Sequence, residues 1–370
     1  MTLRREPVLL AVSSAAPDTT IGQTELFDGF YSQLYSGVPH ARRLFIDSTR
    51  VQRRHFYWDP RRAYSDGFPP TGALMDAWEQ GALELGRRVV PAVLAGHDPA
   101  TVGTFIMVST TGYTCPGPEV RLAAELGLRS DIRRISIGHM GCYAAITGLR
   151  TALDALAARP DELVLVVCTE LTSMHCQPDA ISEQIIVQGL FGDASAAMLL
   201  GTRPADRPVG HPTTDHPSAG APACGVSADV VATRTVTHPG TAEHMRIRVQ
   251  EDGFRLCMSP AVPAMLGSTT PPFVDQLLEG SGLGVADVRH WAIHPGGPRI
   301  VAEVGAALGL SEAQLRPSME VLRDYGNCSS ATVLLVLQRM LALDRPEAGD
   351  HAVLIAFGPG LTTEAALLRF

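Results

Sequence analysis

The feature that most constrains this 370-residue chain is one strand–helix plan written twice along it. In the first half, Val102 to Val108 is an apolar run expected to be a strand, Pro118 to Leu128 a helix ending in Gly-Leu, and Ile132 to Ile137 another strand. Cys142 to Ala157 then reads as a helix and Leu163 to Val167 as a buried strand. In the second half, Val288 to Ile293 is a strand, Pro298 to Leu310 a helix ending in Gly-Leu, Asn327 to Leu343 a long apolar helix, and Ala352 to Phe357 a buried strand. Short apolar runs alternating with helices imply βαβ units, parallel sheets and an α/β fold. Thr110 to Cys142 spans about the same stretch as His294 to Asn327, so matched positions recur and an internal duplication follows. The expected division is an N-terminal half over 1–205, a Pro- and Gly-rich loop over 206–225, and a C-terminal half over 226–370.

Composition closes off several classes of function. Hydrophobic residues at 45% and charged residues at 18% describe a globular chain with an extensive core, which excludes disorder throughout. No run of about 18 uncharged apolar residues occurs, so a membrane span is not expected. A net charge of -8 argues against a dedicated nucleic-acid binder. All 30 Lys and Arg residues are Arg, which removes Schiff-base lysine chemistry. Seven scattered cysteines without a C-x-x-C pair point to neither a disulfide framework nor a zinc site, and no metal is expected. The apolar run after Arg4-Arg5 is too short for a secretion signal and reads as a first strand, which makes a reducing cytoplasm the working compartment.

In parallel α/β architecture, ligands sit beyond the carboxyl ends of strands. Cys142, His294 and Asn327 all fall at strand–helix handovers, and packing of the halves about a pseudo-two-fold axis would let them converge. Cys142 follows Gly141 at an expected helix start, where the helix dipole favours the nucleophilic thiolate; an inert buried cysteine is the alternative. His294 ends an apolar strand before Pro295-Gly296-Gly297, where an imidazole can pair with a thiolate and then donate to an oxyanion. A satisfied core histidine is the competing reading. Asn327 in Tyr325-Gly326-Asn327-Cys328-Ser329-Ser330 is either an N-cap or a neutral amide donor to an enolate.

Together these segments resemble the type III polyketide synthases, the chalcone synthase-like branch of the thiolase superfamily. The resemblance covers nearly the whole chain. It rests on Gly141-Cys142, Leu190-Phe191-Gly192-Asp193 with Ala194-Ser195-Ala196-Ala197, His294 to Pro298, Tyr325-Gly326-Asn327 with Ser329-Ser330, and Phe357-Gly358-Pro359-Gly360. It implies a thiolase-like fold with duplicated βαβ halves in αβαβα layers, and a homodimer that condenses malonyl-CoA onto an acyl-CoA starter. Coenzyme A thioesters are then substrates, and no cofactor is required.

By the same resemblance Cys142 is the nucleophile, His294 the base and donor, Asn327 the amide donor and Phe191 an aromatic gate between coenzyme A tunnel and cavity. Leu256 stands at a second gate position, and Thr110, Thr111, His175, Ser329, Gly358 and Pro359 fall in the cavity wall. Cys115 sits where the family projects a side chain toward the neighbouring subunit. Because coenzyme A is anionic and the chain acidic, a local basic patch is needed. Arg42, Arg43, Arg50, Arg53 and Arg54 are the candidates, with Gly296 and Gly297 beside the ligand. Leu256 in place of an aromatic residue and the Met140-Gly141-Cys142-Tyr143 wording resemble actinobacterial members that take fatty acyl starters, which implies alkylpyrone or alkylresorcinol products. An initiating ketoacyl-acyl carrier protein synthase, a papain-like hydrolase and a catalytically silent thiolase-fold scaffold are the rival readings. The Gly358-Pro359-Gly360 ending speaks against the first.

Overall fold

The computed structural model describes residues 5–204 and 223–370. Among the described residues two short strands, Thr20–Gly22 and Arg53–His55, pair with each other, and eleven more build the architecture: β1 Arg5–Ala15, β2 Val102–Val108, β3 Arg133–Ile137, β4 Leu163–Leu171, β5 Asp193–Pro204, β6 Ala223–Thr237, β7 Met245–Gln250, β8 Gly253–Met258, β9 His290–Ile293, β10 His351–Gly358 and β11 Thr362–Arg369. The longer helices are α1 Thr71–Val93, α2 Pro118–Glu125, α3 Ala144–Ala158, α4 Ser182–Leu190, α5 Val262–Leu278, α6 Pro298–Leu308, α7 Glu312–Tyr325 and α8 Thr332–Asp344. Of the expected loop over 206–225, residues 206–222 lie outside the described residues, and 223–225 open β6.

Nine strands form one sheet in the order β9-β10-β11-β6-β1-β5-β4-β2-β3, while β7 and β8 pair as a separate ribbon. The antiparallel β1–β6 pair is the seam, with Val8 opposite Asp229. Outward from that seam each half repeats the same succession of strands. β2, β3 and β4 run parallel on one side and β9 and β10 on the other, as βαβ crossovers require. β5 and β11 run antiparallel, so each half-sheet is mixed rather than parallel throughout. For β11 the cause is local: it follows β10 through a short turn, which can join only antiparallel neighbours.

The faces of the strands explain the layering. Along β2 all seven residues are buried, but Ile106 and Val108 point into the central core whereas Phe105 and Met107 enter the core beneath α1 and α2. That alternation is the period of two that places successive side chains on opposite faces. α3 and α8 fill the central core between the half-sheets, and α5 and α6 cover the outer face of the second half. The αβαβα layering follows. α8 is apolar nearly all round, as a helix buried on every side must be, and each of its buried Leu, Val and Met side chains contributes about 1.5–3 kcal/mol. On α3, Gly148 has no room for a Cβ, which would meet Val166 at 2.8 Å, so the helix lies close on β4. Among the described residues no helix is long and apolar enough to cross a membrane.

Candidate active site

Both central helices begin at one place, where the carboxyl ends of the parallel strands of the two halves meet. Cys142, His294 and Asn327 line a single pocket there, together with Phe191, Leu256, Ser329, Gly296 and Pro359. Met245, Met258, Ile300 and Phe357 supply its apolar wall.

Cys142 sits on a turn rather than in a helix. After β3 the chain passes through left-handed His139 (φ 64°) and Gly141 (φ 82°), and α3 starts only at Ala144. A Cβ on Gly141 would meet Pro359 at 2.4 Å, and one on Gly358 would meet the Tyr143 ring at 2.7 Å and the Cys142 nitrogen at 3.2 Å. Two glycines, one from each half, therefore allow the end of β10 to close over the nucleophile turn.

His294 extends β9, its N–H donating to the Ile355 carbonyl at 2.8 Å, and neither ring nitrogen has a protein partner. Asn327 is stitched to the Phe191 segment: its N–H donates to the Leu190 carbonyl at 2.8 Å, and its own carbonyl accepts from Gly192 at 3.0 Å. Its Oδ1 accepts from the Ser329 N–H at 2.8 Å and from Thr332 Oγ1 at 3.3 Å. With the oxygen so pinned, the amide NH2 is the end left toward the sulfur, where it favours the thiolate. α8 accordingly starts at Thr332, five positions later than expected, because Ser329 adopts a left-handed φ of 47° in a short turn before it.

The electrostatics differ from the thiolate expected at a helix start. Burial pushes the Cys142 thiol up to about 12, and hydrogen bonds with Ser329 and Asn327 offset this only in part. Burial pulls His294 down to about 3. Desolvation penalises both charged forms, so the site rests as a thiol and a neutral imidazole, not an ion pair. A neutral imidazole has one nitrogen free to take a proton and one N–H free to donate.

Sequence reasoning missed Glu170. The signal was present, a lone acid at the end of the buried run Leu163–Leu171. This fully buried carboxylate accepts from the Thr110 N–H at 3.1 Å, Thr111 Oγ1 at 2.8 Å, Ser109 Oγ at 3.3 Å and the Ser330 hydroxyl. Burial raises its pKa. Thr110 Oγ1 lies 3.3 Å from Ser329 Oγ, to which the Cys142 thiol donates at 3.7 Å. A file of hydroxyls thus connects the sulfur to a buried acid.

Beyond the catalytic pocket lies a second cavity of about 60 Å³, walled by Thr110, Thr111, His175, Thr172, Gln188 and Arg54. Phe191, Leu256 and Ser329 border both spaces. His175 is fully engaged: Nε2–H donates to the Thr111 carbonyl at 2.6 Å, Nδ1 accepts from the Phe254 N–H at 3.0 Å, and the two rings stack at 4.4 Å. Burial lowers it to about 4, which makes it a neutral brace of the wall.

Cys115 is exposed on a loop, where a side chain directed toward a neighbouring subunit would be, and it borders neither the catalytic pocket nor the second cavity. One expectation is corrected. Arg54 is 1% exposed and sunk between the Phe45 and Phe56 rings, so it is out of reach of a phosphate at the surface. Its neighbours divide differently. Arg43 and Arg50 are exposed, whereas Arg42 and Arg53 are exposed but paired, with Asp28 at 3.9 Å and Asp324 at 3.3 Å. Gly296 borders the catalytic pocket, and Gly297 caps α6.

Comparison with known proteins agrees along the chain. The sequence profiles described as the N-terminal and C-terminal domains of chalcone and stilbene synthases match residues 75–204 and 229–370. The chain is 31% identical over 362 residues to a 3,5-dihydroxyphenylacetyl-CoA synthase of Amycolatopsis orientalis, covering 97% of this chain and 92% of that protein. It is 32% identical over 366 residues to a 1,3,6,8-tetrahydroxynaphthalene synthase of Streptomyces peucetius subsp. caesius, with the same coverage of 97% and 92%. Its structure is similar to the crystal structure of PKS-I from the brown alga Ectocarpus siliculosus, with a TM-score of 0.86, 28% identity and coverage of 99% and 98% of the two chains. The chain belongs to the chalcone and stilbene synthase family, the thiolase-fold type III polyketide synthases, acyltransferases that build carbon–carbon bonds by decarboxylative condensation.

Proposed function

We propose that this enzyme takes an acyl group from coenzyme A onto Cys142 and extends it with malonyl-CoA. The observation that carries the reading is the meeting of Cys142 from one half with His294 and Asn327 from the other in one buried pocket. His294 accepts the thiol proton as Cys142 attacks the acyl thioester, and passes it to the departing coenzyme A sulfur. When malonyl-CoA follows, the His294 N–H and the Asn327 amide NH2 donate to its thioester carbonyl. Loss of CO2 then leaves an enolate held by two neutral donors. The enolate carbon attacks the acyl carbonyl, and the Cys142 sulfur departs. Phe191, on the border of both cavities, keeps water from the carbanion. The Cys142 sulfur departs as a thiolate, and each round takes up one proton from solvent to restore the resting thiol, so the scheme calls on no cofactor.

For the starter, the second cavity is the guide. Its room, about 60 Å³, corresponds to about two waters, and threonine hydroxyls, Gln188 and Tyr31 line it. That polar lining favours an oxygen-rich chain that cyclises to a small ring. The two named relatives, by their names, make hydroxylated aromatic products. A fatty acyl starter and an alkylpyrone or alkylresorcinol product rest on Leu256 and on the Met140-Gly141-Cys142-Tyr143 wording. Incubation with labelled malonyl-CoA and acyl-CoA starters of rising length, read by mass spectrometry, tests the choice. Cys142→Ala is expected to abolish chain growth, and polyketide formed at the normal yield by that variant would refute the assignment.

The same proposal includes a homodimer. Tyr113, 68% exposed, and Cys115 lie on a loop beside an open cleft walled by Trp78, His139 and Val249, a surface suited to a second copy. Sedimentation is expected to give twice the chain mass; a monomer at micromolar concentration would remove this part. Arg42, Arg43 and Arg50, the exposed members of the basic cluster, remain the proposed contacts for coenzyme A phosphates.

A further inference from the structure

Arg54 is a buried cation with no obvious counterion. It is 1% exposed, and no carboxylate among the described residues forms an ion pair with it. Burial lowers it only to about 10, so it stays charged at neutral pH. An uncompensated charge in a core is costly, and here it is met by carbonyl and amide oxygens. Nε–H donates to Gln23 Oε1 at 3.0 Å, and Nη1 donates to the Gln188 carbonyl at 2.7 Å and the Phe191 carbonyl at 2.6 Å. The rings of Phe45 and Phe56, with centroids 5.3 and 5.1 Å from the guanidinium carbon, hold its plane.

What those carbonyls belong to is informative. Gln188 lies in the last turn of α4, and Phe191 follows the helix directly. Phe191 and Asn327 form an isolated parallel bridge, flanked by the Asn327-to-Leu190 and Gly192-to-Asn327 hydrogen bonds. The stem of Arg54 lies against this crossing on the other strand as well. A Cβ on Gly326 would meet its Cδ at 3.0 Å, and one on Gly192 would meet its Cβ at 3.4 Å. One side chain therefore touches both segments at the point where they cross. The segments carry, respectively, the gating ring and the amide donor.

We propose that Arg54 is a positioning residue for condensation: through the Gln188 and Phe191 carbonyls it locks the gate segment to the Asn327 segment, so that the enolate is shielded while it is held. This inference rests on the roles given above to Cys142, Phe191 and Asn327. Without the lock, Asn327 still polarises the malonyl carbonyl in part, but Phe191 no longer keeps water out. The enolate then takes a proton from water and leaves as acetyl-CoA instead of attacking the acyl-Cys142 carbonyl.

The test is a partition ratio, acetyl-CoA released per malonyl unit condensed, measured for the wild type, Arg54→Gln and Arg54→Lys. Both products come from the same decarboxylation, so the ratio does not depend on how much protein folds. Arg54→Gln is expected to raise it by about ten- to a hundredfold, the upper figure being the cost of a misplacement of about 1 Å. Arg54→Lys, a single point donor, restores it only in part. In a Phe191→Ala background, Arg54→Gln should leave the ratio unchanged, because the gate is already lost. An unchanged ratio in Arg54→Gln, or full additivity with Phe191→Ala, would sink the positioning role. Failure of the underlying reading looks different: wild-type enzyme that neither decarboxylates nor condenses malonyl-CoA, or Cys142→Ala that still condenses it.

Discussion

At the scale of single residues, the environment of Cys142 decides more than its identity does. A cysteine beside a helix start suggests a thiolate, yet burial pushes this thiol up to about 12 and the neighbouring imidazole down to about 3. Neither group changes charge between pH 6 and pH 9 on its own, so the nucleophile is made only when substrate organises the proton transfer. Iodoacetamide at neutral pH should therefore label Cys142 only slowly, as peptide mass spectrometry would show. Cys142 labelling should rise only as pH climbs toward the raised thiol value. Rapid labelling of Cys142 at pH 7 would contradict the neutral resting pair. Glu170 belongs to the same scale, since its hydrogen bonds order the hydroxyls of Thr110, Thr111 and Ser330 around the site.

Between elements, the weak point is the seam where β1 and β6 join the half-sheets. Asp229 of β6 lies on it, opposite Val8. Its carboxylate accepts from Arg203 of β5 at 2.6 Å and from Arg369 of β11 at 2.7 Å, one arginine from each half. Burial raises the Asp229 pKa, but the hydrogen bonds of the two guanidinium groups outweigh it and the net shift is downward. A depressed folded value means that the stabilisation is complete above the ordinary carboxylate range and is lost as pH falls through the folded value. Asp229→Asn should cost about 3 kcal/mol at pH 7 in urea unfolding, the scale for breaking a largely buried pair. The gap from wild type should narrow as pH falls below about 4, through the depressed folded value. A gap that stayed constant from pH 7 to pH 3 would remove the ionic origin.

Across the whole molecule, the central core is shared. α3 from the first half and α8 from the second pack with strands of both half-sheets in one cluster, so neither half has a complete core alone. Unfolding should then be a single transition. Trp58 and Trp78 report on the first half and Trp291 on the second. Fluorescence of the Trp291→Phe variant and of the wild type should give coincident urea midpoints, and two resolved transitions would show that the halves fold independently.

The sequence by itself determined the local elements and the chemistry on offer. β2 was legible to the residue, because a strand covered on both faces is a continuous apolar run. Cys142, His294 and Asn327 stood out because they close strands and open helices in matched positions of a repeated pattern. α7, with Pro317 inside it, and the β7–β8 ribbon went unplaced, since their pattern is set by neighbours distant in the chain.

Only the tertiary structure decided how the two halves share one sheet, where the helix starts fall, and what each charge meets. Arg54 shows why: composition and neighbours mark it as one of a basic surface group, yet β-strand alternation and the Phe45 and Phe56 rings place it inside. Charge is a property of a residue type, whereas burial depends on segments far apart in sequence. That is why the reaction class could be read along the chain, and why the protonation of the site and the fixing of its gate could not.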